Sequence, residues 1–393
     1  MAIKSIKDID LKNKKVLARF DFNVPLDSDG NILDASRVDL ALPTIEYILD
    51  QGASKLTLMS HHGRPNGQVN SKFSLAPVAK LLAEKLKQEV IFTESAVDSG
   101  VKELLTLRET KIVLLENLRF NPEEENNDET FAHKLSEYGD IYVNDAFGAA
   151  HRKHASTHII NKFYPGNSCC GLLMLKEIES LDKILNTPKK PFVAIIGGAK
   201  VSDKIKTIEK LLVSVDKLII GGAMAYPFLK SQGYEVGKSL CSDEDVKLAK
   251  RILNADKGRK IQLPMDHIIS DKFGGKPQSS DSKSIDREMM ALDIGPKTLE
   301  SFSVILKTAK TVLWNGPMGA FENKDYANGT FGMCEVISNL DAFSLIGGGD
   351  SVSAANKSGL SSKFSHVSSG GGASLEYIEN GELPGINAIK FGV

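Results

Sequence analysis

"IGGGDSVSA" (residues 346–354) follows the apolar run "AFSLI", and so sets three glycines, an acid and a hydroxyl where a strand would end and a helix begin. It is not a Walker loop, because no G-x-x-x-x-G-K-[ST] occurs in the chain, and it is not G-x-G-x-x-G. The same habit recurs outward from it. "PFVAIIGG" (191–198), "KLIIGG" (217–222), "TVLWNGP" (311–317) and "FSHVSSGGG" (364–372) are apolar runs closing on glycine. Helix-like "KIKTIEKLLVSV" (204–215) and "DVKLAKRILNAD" (245–256) fall between them. The first half alternates likewise: "KVLARFDF" (15–22), "KLTLMS" (55–60), "KIVLLEN" (111–117) and "DIYVNDA" (140–146) are spaced by amphipathic segments at 75–88 and 128–139. Apolar strands alternating with amphipathic helices predict parallel sheets covered on both faces. "GLLMLKEIESLDKILNTPKKP" (171–191) reads as a helix stopped by Pro188 and marks the boundary. The fold class expected is α/β, two doubly wound parallel-sheet (Rossmann-like) domains joined by a helix and hinge. The first domain covers 1–170, the connecting helix 171–188 and the second domain 189–381.

Composition agrees and excludes some classes. The 393 residues suit two cores better than one, and 41% hydrophobic with 25% charged residues is globular. A net charge of −1 gives no global attraction for nucleic acid or membrane, so anion binding has to be local. No stretch reaches the apolar length of a membrane span, and the first residues have no secretory apolar core. Four cysteines, with Cys169 and Cys170 adjacent, read as buried thiols in a reducing, cytoplasmic setting.

Ligands of such sheets bind beyond the carboxyl ends of the strands. There the two halves differ. The first offers side chains: Asp21, Asn23, His61, His62, Arg64, Arg119, Asp145 and Arg152. Several arginines imply a small, multiply anionic ligand, since guanidinium grips carboxylate or phosphate bidentately. The second offers glycine at 197–198, 221–222, 316, 347–349 and 370–372. Bare backbone opening into helices suits nucleotide phosphates, with Lys200 and Lys204 as point charges and Asp350 placed for Mg²⁺. Tight turns would explain any one glycine pair, but explain five less well. Lys200 and Lys204, four apart at an expected helix start, would share one face, and which of them reaches phosphate stays open.

Eight motifs in order carry a resemblance over essentially the full length: "RFDFNVPL", "SHHGRP", "LLENLRF", "VNDAFGAAHRKHAST", "GGAKVSDKI", "WNGPMGAFE", "GGGDS" and "SSGGGASLE". Together they resemble the phosphoglycerate kinase family. The resemblance implies phosphoryl transfer between 1,3-bisphosphoglycerate and ADP, giving 3-phosphoglycerate and MgATP, by two lobes closing on a hinge. It implies 3-phosphoglycerate contacts at Asp21, Phe22, Asn23, Arg37, His61, His62, Gly63, Arg64, Arg119 and Arg152. It implies nucleotide contacts at Lys204, Glu322, Gly348, Gly349, Asp350 and Ser351, with Asp350 towards Mg²⁺. Arg37, Lys200, Gly371 and Gly372 match groups that steady the moving phosphoryl. A monomer is implied, as is a C-terminal tail (382–393) returning to the first domain. Ser351 stands where many members have threonine, and His62 fills a variable slot.

The chemistry needs no catalytic base. A carboxylate acceptor, with a pKa near ~4, is already ionised at neutral pH. Placement and positive charge are what remain to be supplied. Other motifs take blander readings. His151, His154 and His158 have metal-like spacing, but Arg152 and Lys153 among them would repel a cation. "EEENNDE" (123–129) reads as a solvated loop and helix start, and Arg19, inside a strand run, as a structural ion pair. A nicotinamide-dependent dehydrogenase and an exported two-lobed binding protein are the rival classes. The first lacks its dinucleotide fingerprint, and the second has no need of a Gly-Asp magnesium site.

Overall fold

The computed structural model describes residues 3–107, 109–255 and 257–393, so Met1, Ala2, Arg108 and the Asp256 that ends one expected helix lie outside the described residues. The chain divides into two compact units, Met1–Glu179 with Glu382–Val393, and Ser180–Gly381.

The first unit holds β1 Lys15–Arg19, β2 Lys55–Met59, β3 Ile91–Phe92, β4 Ile112–Leu114, β5 Ile141–Asn144 and β6 Ser168–Cys170. They form one parallel sheet in the order β3-β4-β2-β1-β5-β6. Strand parity decides which face each residue serves. Val16 and Ala18 enter one core with Leu56, Ile112 and Val143, while Leu17 enters a second with Val113 and Tyr142. Burial of each Val, Leu or Ile side chain is worth about 2 kcal/mol, which makes the register hard to slip. The order reverses between β1 and β5, so the crevice of a doubly wound sheet opens where β1 runs into Asp21.

In the second unit β7 Phe192–Ile196, β8 Lys217–Ile220, β9 Ile261–Gln262, β10 His267–Ser270, β11 Gln278–Ser280, β12 Met290–Ile294, β13 Thr311–Asn315, β14 Phe343–Gly347 and β15 His366–Val367 make two sheets. The larger is parallel, in the order β15-β14-β13-β7-β8-β9. Its reversal lies between β7 and β13, which run into Gly197 and Gly316. The smaller, β11-β10-β12, is antiparallel and answers to no run singled out in the sequence. β3, β6 and β9 were equally unmarked, being two or three residues long.

The helix Leu172–Leu185 is shorter than expected from Pro188, ending three residues before it. Cys169 and Cys170 are buried free thiols in β6, and burial pushes both up in pKa.

Candidate functional site

In the first unit the strand ends gather side chains. β1 delivers Asp21, and Arg37, second residue of the helix Ser36–Asp50, pairs with it through Nη1 to Oδ2. Asn23 takes the Gly63 N–H on its Oδ1 at 2.8 Å, tying the loop after β1 to that after β2. Gly63 has φ +60, and a Cβ there would lie 2.3 Å from the Phe73 ring, so a larger residue would be strained and would have to displace that ring. Arg119 is nearly enclosed; its Nη1 donates to the Gly63 carbonyl at 2.9 Å and its Nε stands 3.3 Å from Glu125.

His61 sits at the centre of this charge. Arg19 Nη2 lies 3.1 Å from His61 Nδ1. A guanidinium can only donate, so Nδ1 accepts and Nε2 carries the ring proton. Burial, then Arg19, Arg119 and Arg37, push His61 well below its ordinary pKa. It is therefore a neutral N–H donor among cations. Arg19 is wholly buried, and its Nε donates to Ser156 Oγ at 2.9 Å. Ser156 in turn donates its N–H and hydroxyl to Glu124 at 2.9 and 2.6 Å. Burial raises Glu124 while Arg19 pulls it back.

Two sequence readings are corrected here. Glu124, in the acidic run read as solvated, is fully buried in the short helix Pro122–Glu125. Arg19, left out of the site, orients one of its members. Both were hidden because Ser156 is remote in sequence.

Other expected residues divide. Arg152 is half-buried, with Nε donating to His151 Nε2 at 3.1 Å, and it adds to the positive field on Arg119 and His154. Arg64 is exposed. Phe22 is buried and stacked on Phe20 at 5.4 Å, so a ligand could meet only its backbone. His62 Nε2 is 2.9 Å from the Val24 carbonyl, and its Nδ1 has no hydrogen-bond partner among the described residues. Asp145, noted at the end of β5, turns inward: it is fully buried, accepts from Met174 N at 2.9 Å, and is pushed up to about 6 by burial. The histidine spacing at 151–158 makes no metal site, as no cluster of three metal-ligating side chains exists among the described residues.

In the second unit the glycines separate into two kinds. A Cβ on Gly197 would lie 2.1 Å from the Pro317 carbonyl, on Gly316 2.1 Å from the Gly197 carbonyl, and on Gly222 2.8 Å from Gly198 N. These let the ends of β7, β8 and β13 pack backbone on backbone. The expectation that all five groups clear room for phosphate is corrected by that packing. Gly349, Gly371 and Gly372 are otherwise: a Cβ on any of them would touch nothing within 4 Å. Gly349 and Gly372 open the helices Gly349–Lys357 and Gly372–Asn380, and neither helix has a side-chain cap. Free N–H groups at two helix starts therefore border open space, which is what an anion requires.

Beside the first of these, at Asp350, lies a cavity of about 470 Å³, walled by Leu240, Phe273, Met290, Leu292 and Pro317, with Glu322 and Asp350 as its acids. An apolar slot beside free amides fits a base next to its phosphates. Ser351 is fully buried and its Oγ accepts from Gly316 N at 2.5 Å. The buried Trp314 donates its indole N–H to the Gly316 carbonyl at 2.7 Å. Lys204 Nζ donates to the Gly197 carbonyl and to Asn315 Oδ1, each at 2.7 Å. Burial pushes Lys204 down to about 8, against the pull of Asp350. Lys200 is exposed and lies in the loop before the turn Ser202–Lys204. The two lysines therefore do not share a helix face, contrary to the expectation from their spacing.

Comparison with known proteins gives one family. The family model described as phosphoglycerate kinase matches residues 6–381. The phosphoglycerate kinase of Acidobacterium capsulatum is 51% identical, covering 99% of both chains. That of Anaeromyxobacter sp. (strain Fw109-5) is 48% identical over 99% of this chain and all of its own. Among solved structures, phosphoglycerate kinase from Coxiella burnetii has a TM-score of 0.89 at 37% identity, and that from Pyrococcus horikoshii OT3 has 0.86 at 31%. Each of these covers 99% of both chains.

Proposed function

The chain belongs to the phosphoglycerate kinase family, and on that premise we propose how its residues divide the reaction. It is a phosphotransferase with a carboxyl group as acceptor, moving phosphate between 1,3-bisphosphoglycerate and ADP to give 3-phosphoglycerate and ATP, a step of glycolysis. The cationic cluster of the first unit binds 3-phosphoglycerate. Arg119, Arg152, Arg64 and Arg37 supply charge, His61 a neutral N–H, and Asp21 and Asn23, with Phe22, His62 and Gly63 through their loop backbone, shape the pocket. Keeping His61 neutral lets it hydrogen-bond the substrate without titrating near neutral pH.

The second unit takes the nucleotide. Its phosphates lie against the amides of Gly348, Gly349, Asp350 and Ser351, the last through its backbone because the hydroxyl is committed to Gly316. Glu322 reads the ribose. Lys204 holds the strand ends together beside the phosphates, and the exposed Lys200 follows the transferring group with Arg37 and the amides of Gly371 and Gly372. Asp350 fits Mg²⁺: it is an exposed carboxylate on the first turn of an uncapped helix, and magnesium in kinases takes one or two carboxylates besides phosphate oxygens. Bound there, the ion would neutralise phosphate charge. The acceptor carboxylate needs no base, so placement and positive charge carry the catalysis. Water has to be excluded at transfer, which we assign to hinge closure of the two units. The chain is read as a cytoplasmic monomer, its four cysteines all free thiols.

The observation supporting this division is the contrast between guanidinium groups gathered on His61 and uncapped helix starts bordering open space. The test is an assay with MgATP and 3-phosphoglycerate, coupled to NADH oxidation through an added dehydrogenase. Signal is expected only with both substrates. NADH turnover without ATP, or ligand binding without turnover, would overturn the reading.

A further inference from the structure

The amino edge of the large sheet in the second unit carries a chemistry unlike its carboxyl edge. The segments entering β7, β13 and β15 bring Lys189 and Lys190, Lys310, and Lys363, and Lys183 joins them from the last turn of its helix. These five lysines line a groove of about 1100 Å³ whose only acid among the described residues is Asp341. Lys310 Nζ stands 2.9 Å from Asp341 Oδ2, and Lys190 Nζ stands 3.3 Å from Asp216 at the groove's side. Five lysines less these two aspartates leave three positive charges. Lys183, Lys189 and Lys363 make no ion pair among the described residues. Lys183 is steadied instead over the Phe343 ring, 5.3 Å from its centroid.

A lysine in a helix's last turn complements the helix dipole, which accounts for Lys183. It does not account for Lys189, Lys190 and Lys310, which lie in strand-entry segments rather than in helices. Like charges converging on one groove repel in the free protein, and an anion relieves that repulsion. Ammonium groups act as point charges without the fork geometry of guanidinium, so they suit a flexible chain of charges better than one planar group.

We propose that this groove is a second anion site, taking a linear oligophosphate of three or more phosphate groups at the sheet edge away from the glycines. The groove has room for several phosphates, and its lysines enter from three strand-entry segments and the end of one helix, so a chain of charges meets all of them where a single phosphate cannot.

The test is calorimetric titration of sodium tripolyphosphate into the full chain, presaturated with ADP and 3-phosphoglycerate, without added metal so that the oligophosphate stays uncomplexed. One further site is expected, weakened at least tenfold by Lys189→Glu with Lys363→Glu and also by raising salt to about 0.5 M, as exposed charges are screened. Both lysines are exposed, so folding, kcat and KM should hold in that variant. A control reversal on the first unit, Lys80→Glu with Lys134→Glu, should leave binding intact. Absence of a site beyond the saturated substrates, or equal loss in the control, overturns the proposal. Orthophosphate binding as tightly as tripolyphosphate would overturn the oligophosphate assignment.

Discussion

At the carboxyl ends of β1 and β2 the chain presents side chains, whereas at those of β7, β13 and β14 it presents main chain. The two units share an architecture and a crevice position, yet on the proposed reading they are built to meet anions in opposite ways. In the first, Arg37, Arg119 and Arg152 carry formal charge, and a buried relay of Arg19, Ser156 and Glu124 fixes the imidazole among them. In the second, the proposed donors are peptide dipoles at Gly349 and Gly372, where uncapped helix starts border open space, and Gly197, Gly222 and Gly316 let strand ends pack closely. Charge on long side chains is adjustable; charge on backbone is only as good as the packing behind it. Substitutions in the first unit should therefore strike function, and those in the second should strike either function or folding, depending on the glycine.

The largest expected effect tests the first half of that statement. Arg37→Ala should lower kcat by about 10²–10³-fold with nucleotide affinity unchanged, as loss of a group acting on transition-state charge does. A rise in KM alone, in steady-state kinetics, would remove Arg37 from the transferring phosphoryl.

The glycines test the second half. Gly197→Ala should cost about 3 kcal/mol, because its Cβ meets carbonyl oxygens that cannot move aside. Gly349→Ala should leave the melting temperature within a few degrees and weaken ADP several-fold. Equal melting temperatures for the two variants would dissolve the distinction. Next in size is Asp350→Ala, for which MgADP affinity should fall about tenfold and metal-free ADP little. Parallel weakening in the two titrations would argue against a carboxylate–metal bond.

Acid should separate the units by a smaller margin. Burial holds His61 well below 6.5 and His154 at about 3, so their unfolded forms take protons first. Their contribution is whole above pH 6.5 and is lost as pH falls below it. Asp145 at about 6, with the raised Glu124, returns part of that. In the second unit His267, at about 4, is opposed by Asp293, held up to about 7, which gains stability over the same range. Amide exchange at Leu17 and Val143 should accelerate from pH 7 to 5 relative to Leu313 and Leu345, after correction for intrinsic rates. Uniform acceleration would refute the asymmetry.

Much of this was legible in the sequence because parallel strands announce themselves as apolar runs, and their carboxyl ends by the glycines or polar side chains next in the chain. Asp21, Arg119 and the glycines at 347–349 stand out on that pattern. Arg19 does not, since a charge inside a strand looks like an isolated ion pair until its partner, 137 residues away, is brought to it. Glu124 was masked by exposed acids on either side. The glycines were visible but not sortable, for Gly197 and Gly349 differ only in what a missing Cβ would touch. The antiparallel sheet escaped because strands such as "QSS" (278–280) are short and polar.

Trp314 is the chain's single tryptophan, bonded to the carbonyl of Gly316 where β13 ends. Its emission, excited beyond the tyrosine band, therefore reports on one half of the molecule alone. Without any label, a stopped-flow trace can time events where β13 ends apart from those around the arginines.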